Sequence, residues 1–301
     1  MNTLITLAAV MNLSVCGGVK TGRLLGLDGG SFDALFEIDV DTGEATWLFN
    51  FDVNPGGGAL AVGPDGTLFA SFRDINALVI VNPDTGDWDV VGTFSFKGVA
   101  GLAFAPDGTL YGIDNVSDQL VTIDPQTGNG AAVGPTGILS NDGLSFTADG
   151  TLYLVGTPTM ESSILYTVDP ATGQATEVGP FGSNLRYSSG IGPIGDVLYA
   201  SAYDPFEPPY RVLVTLNPET GEATKVGGFC PFKKGCPNMN GLAFLPGPGD
   251  VDRDGDVDQD DYDIFVSCFT GPDPGRSCRS GACSWTPTTT ATSTATTGSS
   301  A

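Results

Sequence analysis

Seven carboxylates fall within the twelve residues Asp250-Val251-Asp252-Arg253-Asp254-Gly255-Asp256-Val257-Asp258-Gln259-Asp260-Asp261. Acids stand at positions 1, 3, 5, 7, 9 and 12 of that stretch, with Gly255 at position 6 and Val257 at position 8. A hard cation such as calcium takes six to eight oxygen ligands, and acids at this spacing can wrap around one. Gly255 permits the sharp turn the wrapping requires, Asp256 is expected to offer its carbonyl, and Val257 to pin the loop to a hydrophobic neighbour. The candidate metal ligands are Asp250, Asp252, Asp254, Asp256, Asp258 and Asp261. Without a cation the acids oppose one another: two charges roughly 6 Å apart in water repel by about 0.7 kcal/mol. The plainer reading, a solvated acidic linker, leaves the placement of Gly255 and Val257 unexplained.

The elements that would carry this loop follow from composition. The chain has 301 residues, with 43 Gly, 21 Pro, 41% apolar and only 16% charged residues. That suits one large, turn-rich all-β domain with a small appendage. Twelve basic residues against 35 acidic ones give a formal charge of −23. A phosphate backbone needs a basic footprint, so nucleic acid is not an expected partner. There is no histidine. Ser-His-Asp and Cys-His catalysis and histidine-ligated metals are therefore excluded, and carboxylate chemistry is what remains.

The six cysteines are Cys16, Cys230, Cys236, Cys268, Cys278 and Cys283. Cys230 with Cys236, and Cys268 with Cys278, each bracket a short loop and read as two disulfides of an exported protein. Reduced thiols in a cytosolic protein are the rival reading. Residues 4–15 are an apolar run followed by small residues at Ser14-Val15-Cys16-Gly17-Gly18, which fits a secretory signal over residues 1–18. Lys and Arg are missing ahead of that run, as a mis-assigned start codon would leave it. No other segment is long and apolar enough to span a membrane. The expected location is secreted or at the cell surface, as a monomer.

Two turn motifs recur through residues 19–247. Asp/Asn-x-x-Thr-Gly, mostly with Pro second, begins at Asp39, Asn82, Asp124, Asp169 and Asn217, with spacings of 43, 42, 45 and 48 residues. Pro-Asp-Gly-Thr-Leu begins at Pro64 and Pro106, with variants at Ala148 and Ile194. A period of this length marks a repeat architecture. Each unit reads as four short strands. In the third unit these are Gly101-Leu102-Ala103-Phe104-Ala105, Thr109-Leu110-Tyr111-Gly112-Ile113, Leu120-Val121-Thr122-Ile123 and Ala131-Ala132-Val133, with Asp107-Gly108 forming the first hairpin. Four antiparallel strands per unit is a propeller blade. The chain enters at a second strand, Leu24-Leu25-Gly26-Leu27, and leaves on an orphan first strand, Gly241-Leu242-Ala243-Phe244-Leu245. Pairing those two closes a ring of five blades; a six-bladed ring is the alternative. These signatures are similar to those of NHL- and YVTN-type bacterial β-propellers, a resemblance that implies the fold and leaves function open.

After the acidic loop, Tyr262, Phe265, Val266 and Phe269 fall on one helix face. A loop of the EF-hand pattern followed by an amphipathic helix resembles half of a type I dockerin, whose loop also ends in Asp, here Asp261. The resemblance implies calcium as the ligand and a cohesin-like protein as partner; a glycan is the other partner class. A dockerin has two such segments, and residues 248–281 hold one. Residues 282–301 turn abruptly Ser/Thr-rich, the composition of a disordered linker. A frameshift is the sharper reading. With Thr as ACG, Ala as GCG, Pro as CCG and Ser as TCG, reading two nucleotides later from Cys283 gives Leu-Val-Asp-Ala-Asp-Asp-Asp-Gly-Asp-Val-Asp-Gly-Asp-Asp, a second loop. Because the acidic segment follows the ring-closing strand, its loss is expected to spare the propeller.

Propeller ligands usually sit at the channel mouth formed by the loops between strands two and three and between blades. Those loops hold Asp33, Arg73, Asp74, Lys97, Asp114, Asn115, Asn141, Asp142, Arg186, Tyr187, Tyr203 and Asp204, with Lys233 and Lys234 nearby. They read first as ordinary solvated loop residues. The expected function is a non-catalytic, calcium-binding interaction or carbohydrate/protein-binding scaffold. The rival is an extracellular hydrolase or lyase acting on a lactone or polysaccharide. It would need two or more carboxylates converging with an Asn at that mouth.

Overall fold

The computed structural model describes residues 21–270, apart from residues 31, 55, 57, 160, 161, 183, 184, 209 and 231–235. The strands are β1 (Arg23–Asp28), β2 (Ala34–Ile38) and β3 (Ala45–Asn50); β4 (Leu60–Val62), β5 (Leu68–Phe72), β6 (Ala77–Val81) and β7 (Trp88–Thr93); and β8 (Val99–Phe104), β9 (Leu110–Asp114), β10 (Gln119–Ile123) and β11 (Gly130–Pro135). They continue with β12 (Asn141–Phe146), β13 (Leu152–Thr159), β14 (Ser162–Val168) and β15 (Ala175–Pro180); then β16 (Ile191–Ile194), β17 (Val197–Tyr203), β18 (Arg211–Leu216) and β19 (Ala223–Gly228); and finally β20 (Met239–Leu245). One helix, α1 (Gln259–Thr270), follows. Every sheet has four antiparallel strands, and there are five sheets, so the structure is a five-bladed propeller and the six-bladed alternative is set aside.

The first blade has the order β20-β1-β2-β3. The ring therefore closes as the orphan strand required: β20 pairs with β1 through Leu24↔Phe244 and Gly26↔Leu242. This pairing covers the free edge of β1 and ties the end of the repeats to their beginning. β4, β8, β12, β16 and β20 are the innermost strands and neighbour one another around the channel.

The Thr-Gly turns are the outer fasteners of the ring. Their glycines, Gly43, Gly86, Gly128, Gly173 and Gly221, all have φ between +73° and +82°, a conformation L side chains rarely adopt. Four of these turns press on a glycine of the preceding blade's outermost strand. A Cβ on Gly92, Gly134, Gly179 or Gly227 would fall within 2.1 Å of the carbonyl oxygen of Thr127, Thr172, Thr220 or Thr42 respectively. Apolar side chains fill the space between blades. Leu68, Leu110, Leu152 and Leu198, which hold one position of the second strands, are each no more than 2% exposed. Burying a side chain of this size is worth about 1.5–3 kcal/mol.

The register also fixes what faces the channel. Ala61, Ala103, Ser145, Gly192 and Ala243 pair with Phe69, Tyr111, Tyr153, Tyr199 and Leu25 respectively, so they hold one position in the five inner strands. All five are small, and all line a cavity in the channel.

Candidate functional site: an acidic loop docked on the channel mouth

The loop of residues 250–261 folds through local hydrogen bonds and two glycines. Gly249 (φ +100°) and Gly255 (φ +99°) take backbone conformations that other residues resist. Val257 is buried, as its place in the motif requires. Asp258 caps α1, its Oδ1 accepting the Asp260 amide at 2.7 Å. Asp261, only 1% exposed, accepts the amides of Val251, Asp252 and Asp258 and so draws both ends of the loop together.

The six candidate ligands come together as two triads. Asp250, Asp252 and Asp254 form one and Asp256, Asp258 and Asp261 the other, with carboxylate oxygens within 4.8 Å inside each triad. Among the described residues, no other group of three or more acids or cysteines is this close. The Asp256 carboxylate joins the second triad, in addition to the backbone carbonyl that the motif offers a cation.

Asp250 is the informative member. It is 6% exposed, and its carboxylate oxygens make no full hydrogen bond, the Arg253 amide being the one donor near enough to lower its pKa. Burial, then the charges of Asp261 and Asp254, push its pKa up to about 6. Burial likewise pushes Asp252 up to about 6. Asp256 is raised by burial and by Asp254, Asp258 and Asp261, and its Oδ1 has no partner. A buried carboxylate is normally hydrogen-bonded or paired with a cation. Oxygens of this kind, with no sulfur or imidazole among them, fit a hard cation of the calcium type.

The loop is not a detachable appendage. Arg253 donates from Nη2 to the carbonyls of Pro64 (2.9 Å) and Gly63 (3.4 Å), in the hairpin of the second blade. Its own carbonyl accepts the Gly195 amide of the fifth blade at 3.3 Å, and the Gly255 carbonyl accepts the Thr21 amide at 3.2 Å. A Cβ on Gly255 would lie 2.8 Å from Ile194 Cγ2. The loop thus spans the hairpin end of the channel and touches two blades and the segment entering β1. The loop was expected to be dispensable to the propeller; these contacts show that it is docked on it. The position of Arg253, alone among acids, was the available clue; its carbonyl partners carry no residue signature.

The opposite mouth gathers only some of its candidates. Arg73 Nη2 donates to Asn115 Oδ1 at 3.4 Å, and the Asn115 amide in turn serves the Asp142 carboxylate. Burial pushes Asp142 up to about 6, against the lowering effects of Arg73 and Asn115. Asp114 instead accepts the Ser117 hydroxyl and the Val116 amide, which fixes its own turn. Asp204 pairs with Lys225 at 3.5 Å. On the fifth blade Tyr203 lies 6.2 Å from Tyr187 and 6.3 Å from Tyr210, centroid to centroid. Arg211 lies over the Tyr203 ring and Arg186 over that of Phe206, which is 67% exposed. Asp33, Asp74 and Lys97 join no such group among the described residues, and Asn141 is placed only by its backbone, at the start of β12. Lys233 and Lys234 lie outside the described residues.

Cys230 and Cys236 form a disulfide with their Cα atoms 5.6 Å apart. Cys278 and the tail, and with them the expected second bridge and the altered reading frame, lie outside the described residues, as does the side chain of Cys268. Among the described residues no helix is long and apolar enough to cross a membrane.

The ring of five four-stranded sheets defines the class: a five-bladed β-propeller, with an acidic loop seated on one mouth. Residues 50–191 match the family model described as a domain of unknown function, DUF4394. No curated protein matches the chain in sequence. Among solved structures, a chain of the nidogen/laminin complex is similar at 12% identity, covering 74% of this chain and 98% of that one, with a TM-score of 0.49. Hydrazine synthase of Kuenenia stuttgartiensis is similar at 22% identity, covering 58% of this chain and 49% of that one, with a TM-score of 0.42.

Proposed function

We propose that this chain is an exported, non-catalytic β-propeller that binds calcium through residues 250–261 and serves as an interaction scaffold. The observation that carries the calcium reading is the Asp250 carboxylate, buried without a full hydrogen bond beside Asp252 and Asp254. Asp250, Asp252, Asp254, Asp258 and Asp261 would hold the ion, with Asp256 contributing through either oxygen type. Bound there, the ion supplies charge neutralisation. It removes the mutual repulsion of the acids and fixes the loop on the two blades it touches.

The scaffold reading is supported by the aromatic and arginine cluster of the fifth blade. Tyr, Phe and Arg are the residues that interfaces concentrate, and Tyr187, Phe206 and Tyr210 are 41%, 67% and 38% exposed. That surface suits a protein or glycan, and it lies at the end of the channel away from the acidic loop. The dockerin resemblance points to a cohesin-like partner. Against it, the loop's Arg253 faces the propeller and is held there through Nη2.

Isothermal titration with calcium tests the metal reading. One saturable binding event, weakened at least about tenfold by Asp254→Ala, is the expected result. Unchanged stoichiometry and affinity in that variant would remove the loop from consideration. Tyr187→Ala and Phe206→Ala, probed on a glycan array and against a cohesin panel, test the surface. Retained binding by both variants would place the partner elsewhere.

The rival reading, a hydrolase or lyase, draws on the raised Asp142 beside Asn115 and Arg73. It predicts turnover of lactones or polysaccharides that Asp142→Asn abolishes.

A further inference from the structure

The hairpin end of the channel holds a half-open cavity of about 380 Å³. Its wall is the ring of small residues, Ala61, Ala103, Ser145, Gly192 and Ala243. Phe104, Phe146 and Phe244 border it beyond the ring, and Arg253 and Ile264 close over it from the acidic loop and α1. A cavity of this volume, mostly apolar with a few polar groups, has the dimensions and chemistry of a small-molecule site. The small residues keep this part of the wall thin; Ala61, Ala103 and Ala243 also belong to the cores packed between blades.

The polar groups narrow the class of ligand. Ser145 places the ring's one hydroxyl on the wall. Arg253 gives only Nη2 to the Gly63 and Pro64 carbonyls, and a guanidinium carries five N–H donors. Both groups can donate, so they fit a hydrogen-bond acceptor. An anionic acceptor is disfavoured: Asp252 is itself part of the lining, and Asp250 and Asp65 already act electrostatically on Arg253. We propose that the hairpin end of the channel binds a small neutral molecule with an apolar or aromatic body and one carbonyl-type acceptor. This site adjoins the first carboxylate triad and shares Asp252 with it, but its ligand contacts are to the cavity wall and Arg253 rather than to a cation.

A neutral, environment-sensitive dye, propionyl-dimethylaminonaphthalene, has this chemistry and serves as the probe; an anilinonaphthalenesulfonate is its anionic counterpart. With the full chain, the neutral dye is expected to bind saturably, one per chain, with blue-shifted emission. Ser145→Ala removes one hydrogen bond and should weaken binding roughly threefold to tenfold. Ser145→Leu and Ala61→Leu, which add bulk at the cavity wall, should abolish saturable binding while the thermal midpoint shows the propeller still folded. The anionic dye should bind more weakly than the neutral one. The proposal is overturned by non-saturable binding or by tighter binding of the anionic dye. Undiminished affinity in either leucine variant that remains folded would overturn it too. If both leucine variants unfold, undiminished affinity in Ser145→Ala overturns it.

Discussion

Arg253 Nη2 lies 2.9 Å from the carbonyl oxygen of Pro64, 189 residues earlier in the chain. This contact makes the acidic loop part of the propeller, since it ties the segment after the last strand to the hairpin of the second blade. A hydrogen bond from a charged donor is worth about 1.5–3 kcal/mol. Arg253→Ala is therefore expected to lower unfolding free energy by about 2 kcal/mol, measured by urea denaturation with calcium present. Equal midpoints for variant and wild type would mean that the contact does not hold the loop down.

Asp250 gives a prediction of opposite signs in two conditions. Its buried carboxylate makes no full hydrogen bond and faces Asp252, Asp254 and Asp261 with only the Arg253 amide and charge to offset them, and a poorly compensated buried charge is destabilising. Asp250→Asn should raise the thermal midpoint in the presence of a chelator and abolish the rise that calcium produces in the wild type. A variant less stable than wild type in chelator would show that the carboxylate is already compensated.

Ring closure and loop docking separate by truncation. Ending the chain after residue 247 keeps β20 and removes the loop, so the product should remain folded but melt lower than the full chain. Ending it after residue 238 also removes β20 and exposes the edge of β1. That product should aggregate or fail to fold. Size-exclusion chromatography and circular dichroism distinguish the two, and a monomeric, folded chain ending at 238 would contradict the closure.

Asp142 predicts a pH dependence. Its pKa rises on folding, so the folded chain binds the proton more tightly than the unfolded chain. The associated stability is fully present below the ordinary carboxylate range and is lost as pH rises through about 6. A shift of about two units corresponds to at most ~3 kcal/mol, less at a site that keeps some solvent contact. Asp142→Asn should thus stabilise the protein at pH 7.5 more than at pH 4, compared by denaturant midpoints. An equal effect at both pH values would show that Asp142 titrates normally.

The blade pattern was legible because its determinants are local. Each Thr-Gly turn needs a glycine with positive φ, and each Asp-Gly hairpin needs a second, so the spacing of Gly43, Gly86, Gly128, Gly173 and Gly221 carries the period. The closing strand followed by counting strands from each end. The twelve-residue motif located the acidic cluster for the same reason. Its docking was not legible, since Pro64 and Gly195 take part through backbone atoms that any residue would offer. The relay Arg73–Asn115–Asp142 is likewise a product of blade packing: two loops and the start of β12 contribute one residue each, and nothing in any single segment distinguishes its residue from solvated neighbours.

The central claim is that calcium binds the loop and, through it, stabilises the whole ring. Differential scanning calorimetry of the full chain with excess calcium and with chelator tests it most directly. A ligand at about 100 times its dissociation constant adds about 2.7 kcal/mol. The account predicts a single unfolding transition that moves upward by several degrees with calcium, and no movement for the chain ending at residue 247. An unshifted transition, or an equal shift in that truncated chain, would contradict it.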